Sequence, residues 1–294
     1  MEPQELKTRI ERLCTSHLGT DMGPRVAALF RNGFELYPTG EGEKPSGRCR
    51  FGGPALLEPG TPWPASEHGT LTLLAVLDTD ALAPWLDVAL PPGANLLNVF
   101  YGGYNDMIED GTNHSRHAVF GAPRDWRVVP ADPAKAVEAP APSGVGTLPL
   151  RPVRAEPIVT VPDLNDTDFA LGKERLDPEV REALAGIQEP LLELLPDDGN
   201  DGGFRHMHEH APDLDAERRI NGHRAFGWPW QMQGEPIADD SRLHLLQLDS
   251  DHLLQLDTDD MWEWGDGGMI SLDIPAEALR AGDFSQVYCE FACC

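Results

Sequence analysis

The fold is decided by a stretch of sequence that occurs twice. The first copy reads Leu73-Leu74-Ala75-Val76-Leu77-Asp78-Thr79-Asp80, and the second reads Leu245-Leu246-Gln247-Leu248-Asp249-Ser250-Asp251. A short apolar run that ends at turn-forming acidic residues is typical of a buried β-strand. The sequence therefore predicts two similar buried strands far apart in the chain.

Both copies also have similar neighbours in the same order. Phe51-Gly52-Gly53-Pro54 precedes the first copy, and Phe226-Gly227-Trp228-Pro229 precedes the second. A further apolar run follows each copy, at residues 96–101 and 269–274. Repeated motifs in one order indicate duplication. We therefore predict an α+β protein of two pseudo-symmetric halves, with mainly antiparallel sheet and flanking helices.

The rest of the chain supplies helices and a connector. Helical spacing of apolar residues runs from 5 to 30, with a break at Gly19, and a second helix is predicted after an N-cap at Asp177. Residues 130–162 are rich in proline, which favours extended edge-strand pieces. The predicted boundaries are an N-terminal half at 1–129, a connector at 130–162 and a C-terminal half at 163–294, with the halves joined in one compact domain.

Several of these motifs together are similar to one known family. The first half has Gly52-Gly53-Pro54 followed by Trp63-Pro64 and a strand ending in Leu-Asp. The second half has the more specific features, which are the segment 223–229, Gln233, the leucine-rich strand, the segment 264–268 and Phe284. Residues 25–290 resemble the YwqG-like family, also called domain of unknown function 1963. The family has no settled activity, but its members occur near polymorphic-toxin loci, so the resemblance implies an immunity role.

Charge narrows the range of partners. The chain has 49 Asp and Glu against 23 Lys and Arg, a formal net charge of −26. Such a charge repels nucleic acid and anionic lipid and attracts basic partners such as a toxin domain. An acidic surface that only confers solubility is the alternative. The N-terminus lacks the features of a signal peptide, the chain has no long apolar run, and its five cysteines are an odd number, so we expect a cytoplasmic protein.

The acidic turn after the second leucine-rich strand is the predicted partner-binding region. Tryptophans at alternate positions point to one face, where they either anchor the core or line a groove for a partner's side chain. The predicted partner-binding residues are Asp249, Asp251, Asp257, Asp259, Trp262, Trp264 and Asp266.

The sequence gives no catalytic residue, no cofactor and no assigned metal site. Neither a nucleophile elbow, a phosphate-binding loop, a dinucleotide fingerprint nor a zinc-protease motif is present. Metal binding by the segment His206-Met207-His208-Glu209-His210, or by the aspartates between Asp249 and Asp259, stays open. The favoured function is a non-catalytic protein-binding module. The alternative is an enzyme or small-ligand-binding protein with its site in the cleft between the halves.

Overall fold

A computed structural model describes the chain at 3–102, 105–107, 118–120, 122, 124–162, 177–187, 190, 223–229, 242–250, 262–265 and 268–293. Its helices are α1 (Pro3–Ala27), α2 (Thr79–Leu82), α3 (Pro178–Gly186) and α4 (Ala276–Ala281), with a 3-10 helix at Phe284–Gln286. The strands of the first 120 residues are β1 (Arg31–Pro38), β2 (Arg50–Phe51), β3 (Ala55–Leu57), β4 (Ala65–Ser66), β5 (Gly69–Thr70), β6 (Thr72–Asp78), β7 (Leu96–Gly102), β8 (Asn105–Met107) and β9 (Ala118–Phe120). The later strands are β10 (Asp125–Ala131), β11 (Val137–Ala139), β12 (Arg151–Thr160), β13 (Arg224–Phe226), β14 (Arg242–Asp249), β15 (Trp262–Trp264), β16 (Met269–Pro275) and β17 (Tyr288–Ala292).

One 10-stranded sheet dominates the molecule. Its order is β10-β7-β6-β2-β12-β1-β13-β14-β16-β17, and every neighbouring pair is antiparallel. We call β10, β7, β6 and β2 the N-terminal side of the sheet, and β13, β14, β16 and β17 the C-terminal side. Strands β12 and β1 separate the two sides. The predicted predominance of antiparallel sheet is confirmed.

The sheet curls until its two outer strands approach each other. The Trp126 indole Nε1 on β10 donates a hydrogen bond to the carbonyl oxygen of Val287 at 2.6 Å. The same indole packs edge-on against Tyr288 of β17, with ring centroids 5.9 Å apart. The result is a near-barrel whose inner face is enclosed.

The inner face is filled by apolar side chains from both sides of the sheet. Leu74, Leu77, Leu246 and Leu248, which the sequence predicts to be core residues, are all buried in one cluster. This placement confirms the two leucine-rich stretches as core strands. Burial of such side chains is the main source of the free energy of folding.

Two helices pack together at the outside of the sheet. Gly19 lies inside α1 with φ 79°, where the predicted break divides the helix. The Asp177 carboxylate accepts a hydrogen bond from the Glu179 N–H at 2.9 Å, which confirms the predicted N-cap of α3. Arg25 of α1 forms an ion pair with Asp177 at 2.5 Å. Apolar residues of both helices share a cluster with Val159 at the end of β12.

The proline-rich connector contains a central strand, and not the edge-strand pieces that the prolines predict. Strand β12 pairs with β1 along Arg31–Pro38, but it pairs with β2 only at Arg151 and Pro152. Most of the edge of β12 that faces β2 therefore forms no ladder with that strand. Proline is tolerated at such an edge because the N–H that it lacks would have no partner in the sheet. The domain boundaries at 129 and 162 stay a prediction.

The two sides of the sheet share several local features. A register irregularity occurs between Leu73 and Ala75 on one side and between His244 and Leu246 on the other. Cys49 Sγ accepts a hydrogen bond from the Asp78 N–H at 3.2 Å, and His223 Nδ1 accepts one from the Asp249 N–H at 3.0 Å.

These bonds match Cys49 with His223, and therefore Phe51 with Ala225. The sequence pairs Phe51 with Phe226, so the correspondence is shifted by one residue. The backbone explains the shift, because Gly52 and Phe226 both have φ values in the left-handed region, 56° and 59°. Phe226 carries a side chain in a conformation that glycine adopts without strain.

In the part of the chain that the structure describes, no helix is both long enough and apolar enough to cross a membrane.

Candidate functional site

The two tryptophans of the predicted partner-binding region lie in the core. Trp262 is 1% exposed and Trp264 is 0% exposed. Their indole N–H groups both donate to the carbonyl oxygen of Asp249, at 2.8 Å and 3.1 Å. Asp249 is itself buried, and its carboxylate accepts a hydrogen bond from the Ser250 N–H. This placement corresponds to the core-anchor alternative, and contact of these residues with a partner stays a prediction.

Aromatic rings surround both indoles. Phe51 of β2 and His223 pack edge-on against Trp262, with ring centroids 5.3 Å and 5.7 Å away. Tyr101 of β7 packs edge-on against Trp264 at 5.1 Å. Because these rings come from both sides of the sheet, the tryptophans connect the two sides within the core.

The other predicted site residues lie outside the described residues. These are Asp251, Asp257, Asp259 and Asp266, together with the histidines between His206 and His210. Within the described ranges, no group of three or more metal-binding side chains is present.

A row of polar side chains crosses the face of the sheet opposite the apolar interior. Glu35 alternates with Phe34 and Leu36, which belong to the interior cluster, so its side chain lies on the outer face. Direct cross-strand pairing extends from Glu35 in both directions. We call the paired residues Glu156, Glu35, Arg224, Gln247, Ser271 and Glu290 the polar row; they lie on β12, β1, β13, β14, β16 and β17.

The centre of the polar row is buried although its members are polar. Glu35 is 2% exposed, Arg224 is 3% exposed and Gln247 is 0% exposed. Arg224 Nη2 lies 4.0 Å from Glu35 Oε1, and the Tyr37 hydroxyl donates to Glu35 Oε2 at 2.5 Å. Burial, followed by the charge of Glu35, raises the pKa of Tyr37 well above its ordinary value, so Tyr37 remains a hydrogen-bond donor at neutral pH.

Like charges meet at the β12 end of the row. Glu35 and Glu156 are direct cross-strand partners, an arrangement that is destabilising unless cations lie nearby. Arg154 forms an ion pair with Glu156, and its guanidinium lies 5.4 Å from the centroid of the Tyr37 ring. Arg224 lies next to Glu35 in the other direction. Each of the two neighbouring carboxylates therefore has a guanidinium group beside it.

A histidine–aspartate pair lies beside the row on the same face. His244 Nδ1 is 3.1 Å from Asp273 Oδ1 and 3.3 Å from Ser271 Oγ. His244 is 1% exposed and Asp273 is 4% exposed. His244 Nε2 is buried and has no hydrogen-bond partner among the described residues. Because the carboxylate and the hydroxyl meet the same nitrogen, this is not a Ser-His-Asp triad, in which serine meets Nε2.

The buried cysteines are not arranged for nucleophilic chemistry. Burial raises the pKa of Cys49 to about 12 and that of Cys14 to about 11, and it also raises the pKa of Cys289. Thiolate is the reactive form of cysteine, and these thiols are protonated at neutral pH.

Sequence reasoning does not find the polar row. Each member alternates with apolar neighbours, as Gln247 does between Leu246 and Leu248. In an antiparallel strand this pattern ordinarily indicates a solvated outer face. A signal is present in the short segments Phe34-Glu35-Leu36 and Leu272-Asp273-Ile274, but the pairing that brings Glu35 beside Arg224 is fixed only in the folded sheet.

Comparison with known proteins places the chain in a family. No functionally curated protein matches it. The model of the family described as "Domain of unknown function (DUF1963)" matches residues 49–293, which include both sides of the sheet, His244 and every member of the polar row except Glu35. The resemblance noted in the sequence is thereby confirmed, and the chain belongs to the DUF1963 family.

Proposed function

We propose that this DUF1963 protein binds a small, positively charged organic molecule at the polar row. The observation that carries the proposal is the burial of polar residues in direct register across the sheet, with Gln247 at 0% exposure. Burying polar and charged groups costs free energy unless each is compensated. Proteins retain such arrangements at functional sites, where local rules for stability are broken.

The charges on this face favour a cation. Glu156, Glu35, Asp273 and Glu290 place carboxylates along the row and beside it. Arg154 and Arg224 lie beside the first two of these carboxylates, and the guanidinium groups of Arg31 and Arg242 lie over the rings of Trp228 and Tyr288. A net charge of −26 adds a long-range attraction for positive ligands. Ligand sites combine a small number of placed polar groups with apolar surroundings, as this row does.

We also infer that the two sides of the sheet are halves related by duplication. The strand order reads the same from both outer strands toward the centre, if β10 corresponds to β17, β7 to β16, β6 to β14 and β2 to β13. The matching register irregularities and the matching bonds of Cys49 and His223 support this correspondence. Superposition of 49–102 on 223–226, 242–249 and 269–275, with Asp78 placed on Asp249, tests it.

The binding proposal is tested with the small-molecule fraction of a cell extract, obtained by ultrafiltration. This fraction should raise the Tm of the wild-type chain by about 2–4 °C. Gln247→Val should abolish the rise, because valine is the residue at the corresponding position 76. Val76→Ile is the matched control and should keep the rise. A Tm that does not change, or that rises equally in Gln247→Val, contradicts the proposal.

A second candidate is neutralisation of a basic protein, such as a toxin domain, through the region 249–266. The net charge of −26 supports it, since clustered carboxylates accelerate encounter with a basic surface. Because Trp262 and Trp264 are buried, the informative variants are Asp257→Asn and Asp259→Asn. An association rate that ignores added salt and both substitutions counts against this candidate.

We propose that the protein is cytoplasmic, whichever of the two functions it has. The described cysteines Cys14, Cys49, Cys289 and Cys293 are free thiols, which favours a reducing compartment.

A further inference from the structure

We infer that His244 Nε2 accepts a hydrogen bond from the cationic nitrogen of the ligand. The ligand is then a primary, secondary or tertiary ammonium, or a guanidinium, because a quaternary ammonium has no N–H to donate. This inference rests on the proposed function and names the chemistry that the ligand must have.

The hydrogen bond between His244 and Asp273 fixes the position of the imidazole proton. Asp273 Oδ1 lies 3.1 Å from Nδ1, so Nδ1 carries the hydrogen and donates it to the carboxylate. In the neutral ring, Nε2 then has a lone pair and acts as an acceptor. The Ser271 hydroxyl, 3.3 Å from the same Nδ1, leaves Nε2 unoccupied.

Nε2 is a buried acceptor that requires a partner. It has no hydrogen-bond partner among the described residues, and His244 is 1% exposed. Nearly all buried polar atoms in proteins are hydrogen-bonded, and an exception calls for an explanation such as a missing ligand. A ligand that donates to Nε2 removes this penalty.

The negative charge of the His244–Asp273 pair favours a ligand whose hydrogen-bond donor is positively charged. Asp273 is 4% exposed, and the only hydrogen-bond or ion-pair partner of its carboxylate within the described part of the chain is His244. A neutral imidazole on a buried carboxylate leaves one negative charge in a region of low dielectric constant, where attraction to a cation is strong.

An organic cation explains the site better than a metal ion does. A carboxylate behind a histidine is common in metal sites, but such sites need several ligands around the ion. The described residues include no group of three metal-binding side chains. One acceptor nitrogen is sufficient for an ammonium or a guanidinium.

The inference is tested with three probes of similar chain length: n-butylammonium, n-butyltrimethylammonium and butyrate, at constant ionic strength. Calorimetric titration and thermal melting of the wild-type chain should detect n-butylammonium alone. Equal binding of n-butyltrimethylammonium, or preferential binding of butyrate, would overturn the inference.

Two further measurements locate the effect at His244. Asp273→Asn keeps an acceptor for the Nδ1 hydrogen but removes the charge, so the affinity for n-butylammonium should fall at least about tenfold. Glu67→Gln removes one exposed carboxylate and is the matched control, with affinity unchanged. Unchanged affinity in Asp273→Asn contradicts the inference.

Imidazole nitrogen NMR of the wild-type chain decides the question if Asp273→Asn does not fold. His244 should be the Nδ1–H tautomer, with an Nε2 resonance that moves when n-butylammonium is added. A protonated Nε2, or a resonance that does not respond, overturns the inference. If the extract fraction stabilises the wild type while n-butylammonium does not, the proposed function survives and this inference fails. If neither stabilises it, both fail.

Discussion

The outer faces of the two sides of the sheet differ in chemistry at the positions that the proposed duplication aligns. On the N-terminal side, pairing places Val129, Asn98, Val76, Arg50 and Pro152 in one row across β10, β7, β6, β2 and β12. On the C-terminal side, pairing places the polar row at the corresponding position. One row is covered by an apolar cluster that includes Leu56, whereas the other is built of charged and amide side chains.

The polar residues of the N-terminal row have structural partners. The Asn98 amide donates to the Leu56 carbonyl oxygen and accepts from the Leu56 N–H, both at 2.7 Å, and it also donates to the Val129 carbonyl. Arg50 forms an ion pair with Glu138 of β11 at 3.6 Å. Strands β3 and β11 thus cover this face and bond Asn98, whereas Arg50 Nε is buried without a hydrogen-bond partner among the described residues. On the C-terminal side, His244 Nε2 has no such partner in the described ranges.

This difference teaches that burial of polar groups alone does not mark a function. Asn98 is fully buried, and the backbone groups that it bonds explain its burial. The C-terminal row differs because its charges lie beside an imidazole nitrogen that has no hydrogen-bond partner among the described residues. The comparison therefore singles out His244 and the polar row as the place to test for a ligand.

The largest expected effect is the loss of stability when leucines of the interior, to which both sides of the sheet contribute, are truncated. Leu77 and Leu248 occupy corresponding positions before Asp78 and Asp249, and both are buried in the same cluster. Leu77→Ala and Leu248→Ala should each lower the free energy of unfolding by about 2–5 kcal/mol, because each leaves a cavity. Urea denaturation measures the change, with the exposed Val137→Ala as control. A large loss at only one leucine would show that the two sides contribute unequally to the core.

A smaller effect tests how the outer faces differ. Asn98→Leu should cost about 1–3 kcal/mol, because the buried Leu56 N–H loses its acceptor. Ser271→Val, at the corresponding position of β16, should change stability by less than about 1 kcal/mol, since Ser271 bonds no described backbone group through its side chain. Urea midpoints at constant m-value compare the two variants. Equal losses would mean that Ser271 has a structural role like that of Asn98.

The sequence predicts the local parts of this fold and not the long-range parts. Asp177 and Pro178 indicate the start of α3, and the leucine-rich stretches indicate core strands, because these signals lie within a few residues. The central place of β12 is hidden, since proline content does not tell which flank of a strand is unpaired.

The site is predicted less well than the fold, for the same reason. Alternate spacing indicates that Trp262 and Trp264 share a face, but not that this face is the core. Glu35 and Arg224 become neighbours only through the pairing of β1 with β13, which joins distant parts of the chain. Acidic composition draws attention to the segment 249–266, whereas the candidate site depends on the register of the strands.

The smallest expected effect concerns the hydrogen bond donated by the N–H of Asp78 on one side of the sheet and of Asp249 on the other, because its acceptor differs between the two sides. The Asp78 N–H donates to a thiol, Cys49, and the Asp249 N–H donates to an imidazole, His223. Burial raises the pKa of Cys49 from 9.0 to about 12 in the folded chain, whereas the unfolded thiol ionises near 9. The folded state therefore binds the proton more tightly, and its stability is complete below pH 9 and declines as the pH rises toward 12. Between pH 9 and pH 10 this group alone should lower the free energy of unfolding by about 1 kcal/mol.

Cys49→Ala isolates that contribution. The variant should lose some stability at pH 8 and then decline less steeply than the wild type between pH 9 and pH 10, because the ionising group has been removed. Cys14 and Cys289 still ionise in the variant, so part of the alkaline slope should remain. Urea unfolding at several pH values gives both slopes, and the exposed Val137→Ala is the control, which should keep the wild-type slope. Parallel slopes for Cys49→Ala and the wild type would mean that the Cys49 thiol ionises in the folded chain as readily as in the unfolded chain. The two sides of the sheet would then not differ in their response to alkali at this bond.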